Sequence, residues 1–334
     1  MPIRQPGIHI GNQRLTKALD FFKLFFTIEL VNTMCNHTNV FAWMEILNKP
    51  TYGDSTGAWS EVTVEEMYRF IAVLIFMGFV DVKTLCRYWS TGTLYHGLWT
   101  RRLMKRDRFK AILSMLHVAE PGRNNNDKLR CVRPLLDHMK MKCKDLYQPE
   151  ENVTVDERMV KSKGRSGIRQ FVKGKPIRFG FKLWVLADMA GYTLDFDVYT
   201  GRRNQAGQHG LAYDVVVNLC QHLANQGYRV YFDCFFTSPI LIQDLFTMGL
   251  LACGACQLTR RGIPNDLKDR MWGTAALRGH MRFLRQGILL FVQWKDSKAC
   301  ILTFCYPTSN NNFLLLSELK KCLTHEYITE NMFI

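Results

Sequence analysis

Over roughly the first 150 positions, apolar residues return at the three-and-four spacing of helix faces. In "LDFFKLFFTIELVNTMC", Phe21, Leu24, Phe25, Ile28 and Val31 fall on one such face. The segment "TVEEMYRFIAVLIFMGFV" opens with Thr63 and Glu66 at capping-box spacing, where hydroxyl and carboxylate can each satisfy a free backbone N–H. Its apolar run, Phe70 to Val80, reads as a buried helix and is well short of the roughly 20 residues that span a bilayer. "TRRLMKRDRFKAILSMLHV" predicts a third helical segment, basic at its head.

Near Glu151 the period changes. The stretch around Asp156, then "RFGFKLWVLAD", "YTLDFDVYTG" and "YRVYFDCFFTS", have strand composition or alternation. Helical patterns separate the later ones: "GLAYDVVVNLCQHLANQG", with Gly227 in a C′ position, and "SPILIQDLFTMG", followed by the buried strand "LLACGACQL". The order is three strands, helix, strand, helix, strand. After Thr259, "GILLFVQWKD" and "KACILTFCY" predict a small β-rich insertion, and "FLLLSELKKCLTHEY" a short helix. The fold class expected is therefore mixed α+β, a helical N-terminal part followed by an α/β sheet domain with a β-rich insertion.

Charge narrows the function. Lys and Arg number 44 against 29 Asp and Glu, a formal net charge of +15, which favours polyanionic partners, nucleic acid first and an anionic membrane surface second. The start "MPIRQPGIHIGNQR" lacks the apolar core of a secretory signal, so an intracellular protein with its eleven cysteines reduced is expected. The one close pair, Cys253 and Cys256, lacks a second ligand pair, and no zinc site is identified.

Among the strand-borne acids, Asp156 on the first strand and Asp233 at the end of the fourth can meet if those strands are neighbours. Such a pair of hard oxygen ligands suits a divalent cation and the phosphoryl-transfer chemistry of an RNase H-like nuclease. Asp188, Asp195 and Asp197 are competing candidates, the last two sharing a strand face.

Two runs settle the resemblance. "NVTVDERMVKSKGRSGIRQFVKGKPIRFGFKLWVLADMAGYTLDFDVYTGR" and "YRVYFDCFFTSPILIQDLFTMGLLACGACQLTRRGIP" closely resemble the piggyBac family of DDE transposases and their domesticated derivatives. The resemblance implies a flexible N-terminus (1–14), a helical dimerisation and DNA-binding domain (15–150), an RNase H-like catalytic-type domain (151–258) and an insertion domain (259–306). A divergent tail (307–334) follows. By this resemblance Asp156 in "TVDERM" is the first catalytic and metal-binding aspartate and Asp233 in "YFDCFFTS" the second, with Mg²⁺ or Mn²⁺ as cofactor if the chain is active. The family excises DNA by metal-dependent hydrolysis, hairpin formation and strand transfer at TTAA targets. The implied partners are double-stranded DNA, at transposon ends, and a second copy of the chain as a homodimer. No membrane and no small-molecule cofactor is expected, and the implied location is the nucleus.

The sequence also departs from the family pattern. Cys234 stands where the family has Asn. No third aspartate in a "GGVD"-like motif and no closing Cys/His-rich zinc module is found, and the tail's only carboxylates, Glu318, Glu326 and Glu330, are expected to be solvated. These departures point to a C-terminally truncated, transposon-derived DNA-binding protein without catalysis. An active metal-dependent DDE transposase, with an unrecognised third acid or one supplied by a longer isoform, is the alternative.

DNA contact is assigned first to the track from Arg158 to Lys182, which holds nine Lys or Arg and no acid. Its candidates are Arg158, Lys161, Lys163, Arg165, Arg169, Lys173, Lys175 and Arg178. Arg101, Arg102, Lys105, Arg106, Arg108 and Lys110 form a second cluster around a helix, where only some can face DNA. Arg260 and Arg261 are a third. Trp272 and Trp294 either stack on a flipped base or, more commonly for such residues, pack in the β-rich part.

Overall fold

The computed structural model describes residues 4–11, 14–48, 59–92, 99–122, 126–201 and 207–305, so the tail with Glu318, Glu326 and Glu330 lies outside the described residues. The chain divides into one unit of residues 12–142 and another of residues 1–11 with 143–334. Each has its own apolar core.

In the first unit, α1 (Ala18–Phe25) and α2 (Ile28–Asn48) are separate helices because Phe26 leaves helical geometry, with φ −95° and ψ 72°. The break rotates the expected apolar face. Phe22 and Phe26 stack and pack on the core, while Phe21 and Ile28 are exposed. Helix α3 (Val64–Phe79) starts at Thr63, whose hydroxyl accepts from the Glu66 N–H at 3.3 Å. The Glu66 carboxylate goes elsewhere than the box predicts: it accepts both prongs of the Arg108 guanidinium at 2.7 Å each. Met67, Phe70, Ile71 and Val73 are buried, but Leu74, Ile75 and Phe79 are exposed, so the run expected to be buried presents one apolar stripe to solvent.

The third predicted helix is two. Between α4 (Thr100–Leu103) and α5 (Arg106–Met115), Met104 and Lys105 are extended, and the Met104 carbonyl accepts from the Trp89 indole at 2.8 Å. Phe109 and Ile112 of α5 enter the core. Helix α6 (Arg133–Leu146) adds Leu135 and Met139 to it, and its last residues, from Cys143, are counted with the second unit.

In the second unit, β1 (Gly7–Ile8) pairs antiparallel with β2 (Tyr147–Gln148), and Arg4 donates to the Asp145 carbonyl at 3.0 Å. The described part of the segment expected to be flexible is thus hydrogen-bonded. The main sheet of the described residues has nine strands. Its first part comprises β3 (Asn152–Lys161), β4 (Gln170–Phe171), β5 (Phe179–Asp188), β6 (Thr193–Val198), β7 (Arg229–Phe232) and β8 (Leu251–Cys256). Leaving out the short β4, which pairs with the start of β5, the spatial order is β6-β5-β3-β7-β8. Strands β5 and β6 are antiparallel to their predecessors, and β7 and β8 run parallel to β3. This is the RNase H-like arrangement.

Alternation along β3 buries Val153 and Val155 against α7 (Leu211–Cys220) and α8 (Pro239–Thr247). Helix α8 starts where Ser238 accepts from the Leu241 N–H at 3.3 Å, with Pro239 preset for the first turn. Gly227 does have a positive φ of 75°, but α7 ends at Cys220, so this glycine turns the chain into β7 and does not cap the helix.

After α9 (Arg270–Ala275), an antiparallel meander of β9 (Met281–Gln286), β10 (Leu289–Lys295) and β11 (Ala299–Cys305) joins β8 through β11. Its strands therefore extend the main sheet, and Leu289, Phe291 and Ile301 share the same core.

Candidate functional site

Strands β3 and β7 run parallel with Val155 opposite Phe232. The next residue of each chain segment, Asp156 and Asp233, therefore arrives side by side. Burial pushes the Asp156 carboxyl up to about 6. The negative charges of Glu157 and Asp233 push the same way, and the Glu157 N–H and the Lys175 ammonium oppose them. Asp233 is also raised, again chiefly by burial, against the N–H of Phe235 that donates to it at 2.9 Å.

The turn carrying Asp233 is held from several sides. The Thr237 hydroxyl donates to the Asp233 carbonyl at 2.7 Å. Gly254 is required behind it, since a Cβ there would run into Thr237 and Phe232. Arg260 donates to the carbonyls of Cys234 (3.1 Å) and Phe235. Its guanidinium, expected on DNA, is thus engaged in shaping this turn, whereas Arg261 is exposed.

Lys175 reaches back from the hairpin between β4 and β5, its Nζ 4.0 Å from Asp156 and 3.4 Å from Glu157. On β5, Lys182 lies 3.9 Å over the Trp184 ring, which stacks on Phe235. Burial lowers the pKa of Lys182, while the Glu157, Asp156 and Asp233 charges raise it. Sequence reasoning missed Glu157, Lys182 and Trp184 as members of this cluster. The signal was available in the strand pairing, which sets Trp184 opposite Glu157 and Lys182 opposite Met159. Beside Asp156, a groove of about 230 Å³ is lined by Thr154, Arg158, Val185, Ala187 and Thr193.

The competing acids have other partners. Asp188 organises a turn, accepting from the Tyr147 hydroxyl (2.6 Å) and the Tyr192 N–H (2.7 Å). Asp195 is buried against Lys144 at 2.6 Å. Asp197 accepts from the Val198 N–H at 3.1 Å.

Asp156 and Asp233 have the oxygen chemistry a hard divalent ion prefers. Yet among the described residues no group of three or more His, Cys, Asp or Glu comes together to hold a metal ion. The donor set fits one side of such an ion only. Cys253 and Cys256, at odd spacing on β8, point to opposite faces.

Of the basic track, Arg158, Lys161, Lys163, Arg165, Arg169, Lys173 and Arg178 are exposed, and Lys175 is half-buried against the carboxylates. Arg169 also donates to the Lys163 and Gly164 carbonyls, at 3.3 and 3.2 Å. In the helical unit Arg101, Arg102 and Lys105 are exposed, while Arg106 is paired with Asp107 at 3.0 Å. Trp272 is half-buried beneath the Arg282 guanidinium, and Trp294 is half-buried on β10. Among the described residues no helix is long and apolar enough to cross a membrane.

A helical unit and an RNase H-like sheet with an aspartate pair, Asp156 midway along β3 and Asp233 just past the end of β7, define the class: a transposase-type fold. The family model described as "Transposase IS4" matches residues 17–314. The chain is 31% identical over 241 residues to human PiggyBac transposable element-derived protein 3, covering 70% of this chain and 39% of that protein. It is 28% identical over 255 residues to human PiggyBac transposable element-derived protein 2, covering 75% and 41%. It thus spans about two fifths of the length of these relatives. A piggyBac transposase synaptic complex with hairpin DNA, solved by cryo-electron microscopy, shares the fold with a TM-score of 0.77 at 24% identity, covering 95% of this chain and 68% of that one. The chain belongs to the piggyBac transposase family.

Proposed function

We propose that this chain is a transposon-derived protein that binds double-stranded DNA through the track from Arg158 to Arg178 and does not itself cut it. The observation that carries the binding is the seven exposed cations on β3 and the segment leading to β5, with no acid among residues 158–182, beside a pair of half-buried carboxylates. Cations spaced along an exposed edge displace counterions from a phosphate backbone, which gives affinity that falls steeply with salt. Arg101, Arg102 and Lys105 are the second contributor, and Arg261 the third.

Mg²⁺ or Mn²⁺, when bound, supplies Lewis-acid polarisation of a phosphoryl oxygen, and Asp156 and Asp233 are the residues that would hold it. Two features oppose cleavage by this chain: no third residue completes a metal-holding group with the pair among the described residues, and Lys175 already brings a positive charge within 4.0 Å of Asp156. What remains for the pair is to fix Lys175, and with it the base of the hairpin, against the strand.

The nucleus, where chromosomal DNA lies, is the compartment this reading assigns. Homodimerisation is assigned to the helical unit, where Val40, Trp43, Met44 and Leu47 form an exposed stripe at helical spacing on α2. Light scattering on the purified chain checks it.

The test of the main reading is fluorescence anisotropy with a labelled duplex across a salt series, together with a nicking assay in Mg²⁺ and in Mn²⁺. Salt-sensitive binding without nicking supports it. Binding that ignores salt overturns the DNA-contact half. Nicking abolished by Asp156→Ala overturns the other half and establishes the metal-dependent transposase or nuclease.

A further inference from the structure

Within the basic track, one feature is not accounted for by duplex binding. Phe171 on β4 and Phe179 on β5 stand directly opposite one another in the ladder, rings 4.7 Å apart, and both are more than half exposed, at 55% and 53%. Ile177 and Val160 beside them are exposed as well. The Arg169 guanidinium lies 5.6 Å over the Phe179 ring. Lys173 and Arg178 flank the pair and are exposed.

This hairpin is built, not incidental. The Val172 N–H donates to the Arg178 carbonyl at 2.9 Å, and β5 comes so close to β3 at Gly180 that a Cβ there would run into the Val160 carbonyl. The backbone thus fixes the two rings on one face of a short ribbon. No phosphate contact uses a phenylalanine, and a duplex keeps its base faces stacked inside, out of reach of these two rings, whose planes are tilted by 42° to one another. An unpaired base, in contrast, offers a π-face that stacks on an aromatic ring and under a guanidinium, while neighbouring cations take the phosphates on either side.

We propose that Phe171, Phe179 and Arg169 form a stacking platform for unpaired nucleotides, so that the hairpin binds single-stranded extensions or gaps next to the duplex held by the surrounding cations. The ligand class is an unpaired stretch of a nucleic acid strand, chosen because charge and exposed rings are interleaved. The proposal rests on the reading that this track contacts DNA.

The experiment compares a blunt labelled duplex with the same duplex carrying a short single-stranded extension containing 2-aminopurine, at matched salt, on the full chain. The expected result is affinity about tenfold higher for the extended duplex, with quenching of 2-aminopurine as it stacks. In Phe171→Ala/Phe179→Ala both the preference and the quenching vanish while blunt-duplex affinity stays. Phe171→Leu/Phe179→Leu, which keeps apolar surface and fold but removes the rings, behaves like the alanine pair. Equal affinity for the two probes with duplex binding intact overturns the platform and leaves the duplex reading standing. Loss of binding to both probes in the wild type overturns both. A preference retained by the leucine pair, or binding to anionic lipid vesicles lost on alanine substitution without any extension preference, overturns stacking in favour of an apolar anchor.

Discussion

The hairpin that follows β3 and the head of α4 and α5 carry similar runs of arginine and lysine, yet their charges are spent differently. After β3 five cations are exposed before β5 begins, and among them Arg169 lies over an exposed ring. Around α5, Arg106 is exposed beside its exposed neighbour Asp107, whereas Arg108 lies over Trp59 with its fork on Glu66 and a further bond to the Ser60 carbonyl. A run of cations is free to meet phosphates where the fold supplies no acid across from it. Where a helix lines up a carboxylate from its neighbour, the same residue type becomes a packing element.

The largest effect expected from this contrast is on DNA affinity. Replacing Lys161, Lys163, Arg165 and Lys173 by Ala removes up to four phosphate contacts, which lowers the slope of log affinity against log salt by about 3 to 4 and weakens binding by about a hundredfold at moderate salt. Arg101→Ala with Arg102→Ala lowers the slope by less than about 2. Equal losses from the two sets erase the distinction.

Arg108 gives the opposite outcome. Both partners of its pair with Glu66 are less than a quarter exposed, at 19% and 24%. Arg108→Ala leaves Glu66 without its fork and destabilises the helical unit by about 2–3 kcal/mol, read from urea denaturation. Affinity per folded molecule is unchanged. A drop in affinity with stability intact reassigns Arg108 to DNA.

Much of this was legible in the sequence. The change of period near Glu151 and the strand and helix order to Cys256 are visible because alternation and helical spacing are local signals, whereas Asp156 and Asp233 are set apart from Asp188, Asp195 and Asp197 only by the family resemblance of the runs that carry them. What stayed hidden was non-local. The kink at Phe26 and the break at Met104 depend on packing and on the Trp89 indole. Glu66 could cap its own helix or hold Arg108, and only tertiary structure chooses. Arg260 looked like a surface cation until the turn at Cys234 and Phe235 was placed beneath it. The β9 to β11 strands read as a separate part because nothing local says that β11 pairs with β8. Lys182 and Trp184 joined the site through register, which a one-dimensional pattern does not carry.

The acidic side of the contrast can be read by pH. A carboxyl whose folded pKa is raised from 3.8 to about 6 holds its proton more tightly when folded. Its contribution to stability is full below pH 4, is lost as pH rises through about 6, and is constant above that. Asp156→Asn removes the cost of the buried charge, so the variant is more stable than the wild type at pH 7, by about 1–3 kcal/mol, and the difference closes at pH 4. Thermal melts at the two pH values check this. A variant less stable at both means that the Asp156 carboxylate is needed to anchor Lys175.

The smallest effect separates Lys175 from the other cations of its own hairpin. Its ammonium faces Asp156 and Glu157, so Lys175→Gln changes the acids more than the DNA. Without the Lys175 ammonium, which holds the Asp156 pKa down, the pH at which stability falls moves up from about 6. Carboxyl-carbon NMR of Asp156 reports the same shift directly. The salt slope of duplex binding changes by less than about 1, the value for one phosphate contact. A full unit of slope lost with no movement of the Asp156 titration places Lys175 on the phosphate backbone together with Lys173 and Arg178. The inward and outward cations of the hairpin would then form one surface, and the carboxylate pair would stand without its counter-charge.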